Sequence, residues 1–130
     1  MRRSKRSLPI GCPAKPEPGT DAARFIASQA ILLSLAGVPG IYVHSLFGSR
    51  NCHECFAETG RARSLNRKKF DRSGLEEAIA DPAGRPGRIF NELRRLLRVR
   101  REEQAFHPEG EQKVLDIGEE LFALLRTPPE

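Results

Sequence analysis

The sequence predicts an α/β fold, and three observations carry that expectation. A strongly apolar helix is stopped by Gly37 and Pro39, and a short β-branched and aromatic run follows at once. An amphipathic, arginine-rich helix comes later, and two short apolar runs near the C-terminus read as a hairpin. Helix, tight turn and buried strand in that order form an αβ unit.

The 130 residues suit one domain. Hydrophobic residues make up 38% and charged residues 30%, which excludes a membrane-embedded or wholly disordered class. Apolar residues concentrate in 25–47, so a core has to be built around that stretch.

Residues 1–20 read as a disordered basic lead-in, rich in Pro, Gly and charge. Arg2, Arg3, Lys5, Arg6 and Lys15 sit there against Glu17 alone, which accounts for +4 of the chain's +5. No apolar run in it resembles a signal or a membrane span, so a reducing cytoplasm is the expected location.

Thr20 or Asp21 can cap a helix over residues 22–36. Phe25, Ile26, Ala30, Ile31, Leu32, Leu33 and Leu35 make it apolar around most of its circumference, the mark of burial on several sides. Residues 41–46 lack clean alternation and read as a central parallel strand. Residues 48–72 are polar and aperiodic, and a loop of that length is usually functional or disordered.

Ser73-Gly-Leu-Glu76 has capping-box spacing, so a short helix is expected to about Ala80. Asp81-Pro82, Gly84, Pro86 and Gly87 break it, and a longer helix follows over residues 88–104. Its apolar stripe is Ile89, Leu93, Leu96 and Leu97, and its other face carries Arg94, Arg95, Arg98 and Arg101. Residues 113–117 and 121–126 are strand candidates, joined through Gly118-Glu119-Glu120.

From Arg24 onwards the chain resembles glycoside hydrolase family 13. The stretch Ala36-Gly-Val-Pro-Gly-Ile-Tyr-Val-His-Ser-Leu-Phe-Gly-Ser-Arg-Asn51 is similar to the sucrose phosphorylase branch, which includes phosphorylases acting on glucosylglycerate. Arg61-Ala-Arg-Ser-Leu-Asn-Arg67 resembles that branch's Arg-x-Ile-Asn-Arg segment, and residues 88–97 and 105–127 agree in order.

The resemblance implies the C-terminal part of a (β/α)8 TIM barrel. Residues 21–105 would supply the seventh helix, the eighth strand at 41–46, an active-site loop and the eighth helix. Residues 106–130 would begin a C-terminal β domain. It also implies retaining transfer of a glucosyl group to phosphate, with one carboxylate as nucleophile, one as acid and a third in a His-Asp pair binding the sugar. No His-Asp pair stands in these residues: His44 precedes Ser45, His53 precedes Glu54 and His107 precedes Pro108. No catalytic residue can therefore be assigned here, and the chain by itself is expected to be inactive. Glu54, Glu58 and Asp71 read as solvated loop charges.

Arg63 matches the first Arg of the Arg-x-Ile-Asn-Arg segment, which the resemblance assigns to holding the glucosyl unit. A guanidinium offers fixed donors for hydroxyls and sugar-binding carboxylates. Arg50 and Arg61 could meet phosphate, and His44 could enter the pocket from the end of its strand. Asn66 and Arg67 read as loop braces.

No cofactor or metal is implied. Cys52 and Cys55 could form half a zinc site or a redox pair, but no paired partner ligands accompany them, and they read as ordinary loop thiols. The expected partners are a glucoside and inorganic phosphate in the full-length parent. Without its barrel neighbours, the apolar face of the first helix would invite association. The competing reading is a small basic module for nucleic acid or an acidic partner. An aromatic content of 6% gives it few stacking platforms.

Overall fold

The computed structural model describes residues 20–130. The basic lead-in and Cys12 lie outside them. The described chain runs α1 (Thr20–Ser34), α2 (Val43–Leu46), α3 (His53–Thr59), a 3-10 turn (Ala62–Asn66), α4 (Arg72–Ala80), α5 (Arg85–Glu102), a second 3-10 turn (Gln104–Phe106), β1 (Gln112–Leu115) and β2 (Ala123–Arg126). It is helix-rich with one small sheet, as a partial α/β segment would be.

The core is the seam between α1 and α5. Ala22 and Leu33 of α1 are buried with Ile89 and Leu93 of α5, and Phe25, Ile26, Ile41, Leu46, Leu96 and Leu97 pack around them. The stripe foreseen on the second long helix is thus the buried one. Gly48 lies against the same seam, where a Cβ would stand 2.2 Å from the Ile89 side chain.

Two arginines of α5 fix the direction of that packing. Arg85, in the first turn of α5, pairs with Asp21 in the first turn of α1 at 2.7 Å. Arg100, near the end of α5, donates to the carbonyls of Leu33, Leu35 and Gly37 at the end of α1. The two helices therefore lie side by side and parallel. Arg100 satisfies carbonyls that a helix end leaves without partners, and its positive charge suits that end of the dipole. Burial pushes its guanidinium below its ordinary pKa, with the Arg126 charge adding to the effect. It also stands 5.6 Å over the Phe106 ring.

Residues 41–46 do not form the expected strand. Tyr42 O accepts from both Ser45 N and Leu46 N, which closes the helical turn of α2. A central parallel strand needs a partner on each edge for its backbone groups. Among the described residues the only sheet is β1–β2, so those groups bond locally instead. Burial of α1 on several sides is also unmet: Ile31 is 51% exposed, and only one face packs on α5.

The polar stretch 48–72 is more ordered than its sequence suggests, since it contains α3 and the 62–66 turn. The cap of α4 lies two residues before the expected one. Asp71 accepts from Gly74 N at 2.9 Å and from Ser73 Oγ at 2.7 Å, while Glu76 pairs with Arg72 rather than closing a capping box. The longer helix begins at Arg85, not Arg88, because Pro86 occupies its first turn, where a missing N–H costs nothing. Gly87 permits that start: a Cβ there would lie 2.0 Å from Asp81 O.

The C-terminal hairpin forms as foreseen, antiparallel, with Gln112 opposite Arg126 and Leu115 opposite Ala123. Gly118 takes a positive φ in its loop. Gln112 Oε1 accepts from Ala36 N at 2.8 Å, and Arg126 donates to the carbonyls of His107, Gly110 and Glu111. These bonds hold the hairpin to the end of α1 and to the turn after α5.

Arg100→Ala is expected to destabilise the chain by about 2 kcal/mol, because charged bonds to three carbonyls are lost together. Arg100→Lys should recover less than half, since an ammonium cannot fork across separated acceptors. Urea denaturation of the three proteins checks both.

Candidate functional site

The site proposed from the sequence lies on residues 48–72, and the helix ends decide where that segment sits. Gly48 O accepts from Arg85 Nε at 2.9 Å, and Arg50 pairs with Asp21 at 2.9 Å. The polar segment therefore begins at the N-terminal ends of α1 and α5. It returns to that end at α4, which leads into α5.

Arg63 projects from the 62–66 turn and is exposed. It lines two open cavities. One, of about 520 Å³, also has Tyr42, Asn51, Asn66 and Arg67 on its wall. The other, of about 290 Å³, gathers Arg61, Arg67, Lys68 and Lys69 beside Cys55. Arg61 and Arg63 are thus brought together, with three further cations and no carboxylate among the described residues lining that cavity. The turn is braced by Tyr42 Oη, which donates to Asn66 O at 3.0 Å, and by Cys52 N, which donates to Leu65 O at 2.6 Å. Ser64 Oγ and Thr59 Oγ1 share a hydrogen bond at 2.6 Å, joining the turn to α3.

Arg50 goes elsewhere. Its pairing with Asp21 makes it a link between α1 and the loop, although 75% of its side chain stays exposed. His44 stands in an aromatic row, 4.6 Å from Phe70 and 5.3 Å from Tyr42 between ring centroids. Phe47 continues the row against Phe70 and Phe90. A histidine held in such a row is a packed ring.

Of the three acids, Glu54 and Glu58 are exposed on α3, as expected. Asp71 has a defined structural task instead. The Gly74 N–H and the Ser73 hydroxyl hold its carboxyl below the usual carboxylate range.

Cys52 and Cys55 depart from the reading as separate loop thiols. Their sulfurs are joined in a disulfide, with Cα atoms 5.3 Å apart. A spacing of three on the first turn of α3 puts both side chains on one face. Cys52 is also the cap of α3, its sulfur accepting from Cys55 N at 3.3 Å. Sulfur is absent from the usual list of capping side chains, which is why the sequence did not signal this helix. No group of three or more His, Cys, Asp or Glu among the described residues could hold a metal ion. No helix among them is long and apolar enough to cross a membrane.

Comparison with known proteins gives three related matches. The chain is 46% identical over 111 residues to the glucosylglycerate phosphorylase of Spirochaeta thermophila, covering 85% of the chain and 19% of that protein. It is 52% identical over 99 residues to the glucosylglycerate phosphorylase of Allomeiothermus silvanus, covering 76% of the chain and 18% of that protein. The Escherichia coli glucosylglycerate phosphorylase is 36% identical over 105 residues, 81% of the chain and 19% of that protein. The chain thus spans about a fifth of the length of the curated relatives it matches. No family model matches it, and no solved structure does.

Asp71 supplies a pH test. A carboxyl with a lowered folded pKa contributes stability above its unfolded value, and the contribution is lost as pH falls through the folded one. The Gly74 amide resonance is expected to titrate below the usual carboxylate range. Asp71→Asn should remove that titration while keeping α4, as followed by two-dimensional NMR.

Proposed function

We propose a role for this chain from its membership, over the matched residues, of the glucosylglycerate phosphorylase family. It supplies a helix–loop–helix segment of a retaining α-glucoside phosphorylase of glycoside hydrolase family 13, of the sucrose phosphorylase type. In this reading α1 and α5 are neighbouring outer helices of a (β/α)8 barrel, and residues 48–72 are a loop on the catalytic face. Residues 106–130 then begin the following β domain. Glucosylglycerate and inorganic phosphate are the substrates of the whole enzyme.

The parallel packing of α1 and α5 is the observation that supports this most. Two adjacent parallel helices need a connection that returns along their length. In a barrel that return is a strand, and the loop after it opens at the helix N-terminal ends, where catalysis occurs. Residues 35–84 return in just that sense, and the loop that follows Phe47 opens at that end. The residues of the expected strand, 41–46, lie on the return path and carry Ile41 and Leu46 into the seam. With strands beside them, their backbone groups would find ladder partners in place of the bonds within α2.

Arg63 is the sugar-contacting residue in this proposal. Its turn is fixed from three sides by Tyr42, Cys52 and Thr59, so the guanidinium is presented from a braced base. Braced donors meet a sugar hydroxyl or its carboxylate partner with less ordering cost than mobile ones. Arg61, Lys68 and Lys69 add positive potential for phosphate approach. The nucleophile and acid carboxylates come from other parts of such an enzyme, so these 130 residues alone turn nothing over.

A chimera tests the reading. The matched segment of the Escherichia coli enzyme is replaced by residues 24–128 of this chain, and phosphorolysis of glucosylglycerate is measured. The chimera is expected to be active and the isolated chain inactive. Arg63→Ala in the chimera should lower kcat/KM by roughly 10- to 100-fold, the worth of one or two charged hydrogen bonds. An active chimera indifferent to Arg63→Ala would remove Arg63 from the site.

A further inference from the structure

We infer that Cys52 and Cys55 form a reversible dithiol–disulfide site that exchanges with anionic low-molecular-weight disulfides. This stands apart from the sugar chemistry. Three observations carry it.

The geometry admits both redox states without rearrangement of the helix. A Cα separation of 5.3 Å lies within the range that a disulfide spans. Cys52 and Cys55 are also joined by the Cys55 N–H donated to Cys52 Sγ, a bond that a free sulfur at position 52 can keep. Both cysteines are only half-buried, so a small disulfide can reach them. The sulfurs are not enclosed in the α1–α5 core, as purely packed cysteines would be.

Charge selects the class of reactant. Arg61, Arg63, Arg67, Lys68 and Lys69 line the cavity that holds Cys55. Cys52 opens on a neighbouring cavity of about 500 Å³ with Arg50, His53 and Lys68, and with Glu54 as its acid. Lys68 stands on both. A disulfide carrying carboxylates, such as oxidised glutathione, is drawn into that field, and a cationic one is repelled.

The exchange balances in two steps. The Cys52 thiolate attacks one sulfur of the small disulfide, forming a protein–small-molecule bond and expelling one small thiolate. The Cys55 thiolate then attacks Cys52 Sγ, closing the protein disulfide and expelling the second thiolate. Two protein thiols are oxidised, one small disulfide is reduced to two thiols, and the protons lost by the cysteines go to the leaving thiolates through solvent. The attacking role falls to Cys52 because its sulfur accepts the Cys55 N–H, a bond that strengthens as charge develops there.

The pair also has a route to the rest of the loop. Cys52 N donates to Leu65 O, two residues from Arg63.

The test uses the full chain with Cys12→Ser, reduced and then exposed to oxidised glutathione. Mass spectrometry is expected to show loss of two hydrogens without a lasting glutathione adduct, and the Cys55→Ser variant should trap that adduct on Cys52. The rate with glutathione should fall roughly tenfold or more from low to high salt, and again in Lys68→Gln, whereas cystamine, a cationic disulfide, should react slower than glutathione and gain speed with salt. Circular dichroism confirms that the variants fold. A stable adduct on the parent chain, or equal rates for the folded chain and an isolated Cys-His-Glu-Cys peptide, would overturn the proposal.

Discussion

The arrangement of the chain depends on two arginines at opposite ends of one helix. Arg85 and Arg100 tie the start and the end of α5 to the start and the end of α1. The apolar seam between them is small, with four buried side chains. Hydrophobic contact is non-directional, so a seam of that size constrains the relative direction of two helices only weakly. A carboxylate at one end and bare carbonyls at the other can be met by cations of one helix in a single orientation. Parallel packing, and with it the position of residues 48–72, follows from those polar contacts.

The same arginines explain how much of the molecule is legible in its sequence. The two long helices and the hairpin are written locally, in the run 25–35, in the stripe Ile89, Leu93, Leu96 and Leu97, and in the paired apolar runs around Gly118. Their boundaries are less legible, because Pro86 and Asp71 can each either end one element or start another. Residues 41–46 show the limit of local reading. Their composition describes a strand's surroundings, and a strand exists only when other strands complete its ladder. The described residues offer none, and Val43 and Tyr42 stay exposed around a helical turn.

The candidate site was legible as chemistry more than as geometry. The run of cations from Arg61 to Lys69 is plain in the sequence, and Arg61 and Arg63 do share a cavity. In the sequence alone, nothing separates Arg50 from them. Its partner, Asp21, lies 29 residues away at the end of another helix, and no spacing rule reports such a pair. His44 depends for a pocket position on a strand end that does not form here, and its ring stands between Phe70 and Tyr42. For the cysteines, the spacing and the lack of further metal ligands describe loop thiols, because sulfur is not among the side chains that signal a helix cap, the role that Cys52 has in starting α3.

The cations around Arg63 have a cost that bears on their purpose. Five like charges line one small cavity, and the described residues lining it supply no carboxylate. Exposed charges are screened, so the repulsion is modest, but nothing in the cluster repays it by pairing. Four other arginines meet acids, Arg72 with Glu76, Arg95 with Glu92, and Arg50 and Arg85 with Asp21, while Arg100 and Arg126 meet backbone carbonyls. Among the described residues, the cations of the Arg61–Lys69 group have neither kind of partner at their cavity, although their turn is braced by Tyr42, Cys52 and Thr59. Order without charge compensation is what an anion site requires before its anion arrives. In the proposed reading, the braces hold the donors in place and the negative charge comes with the ligand.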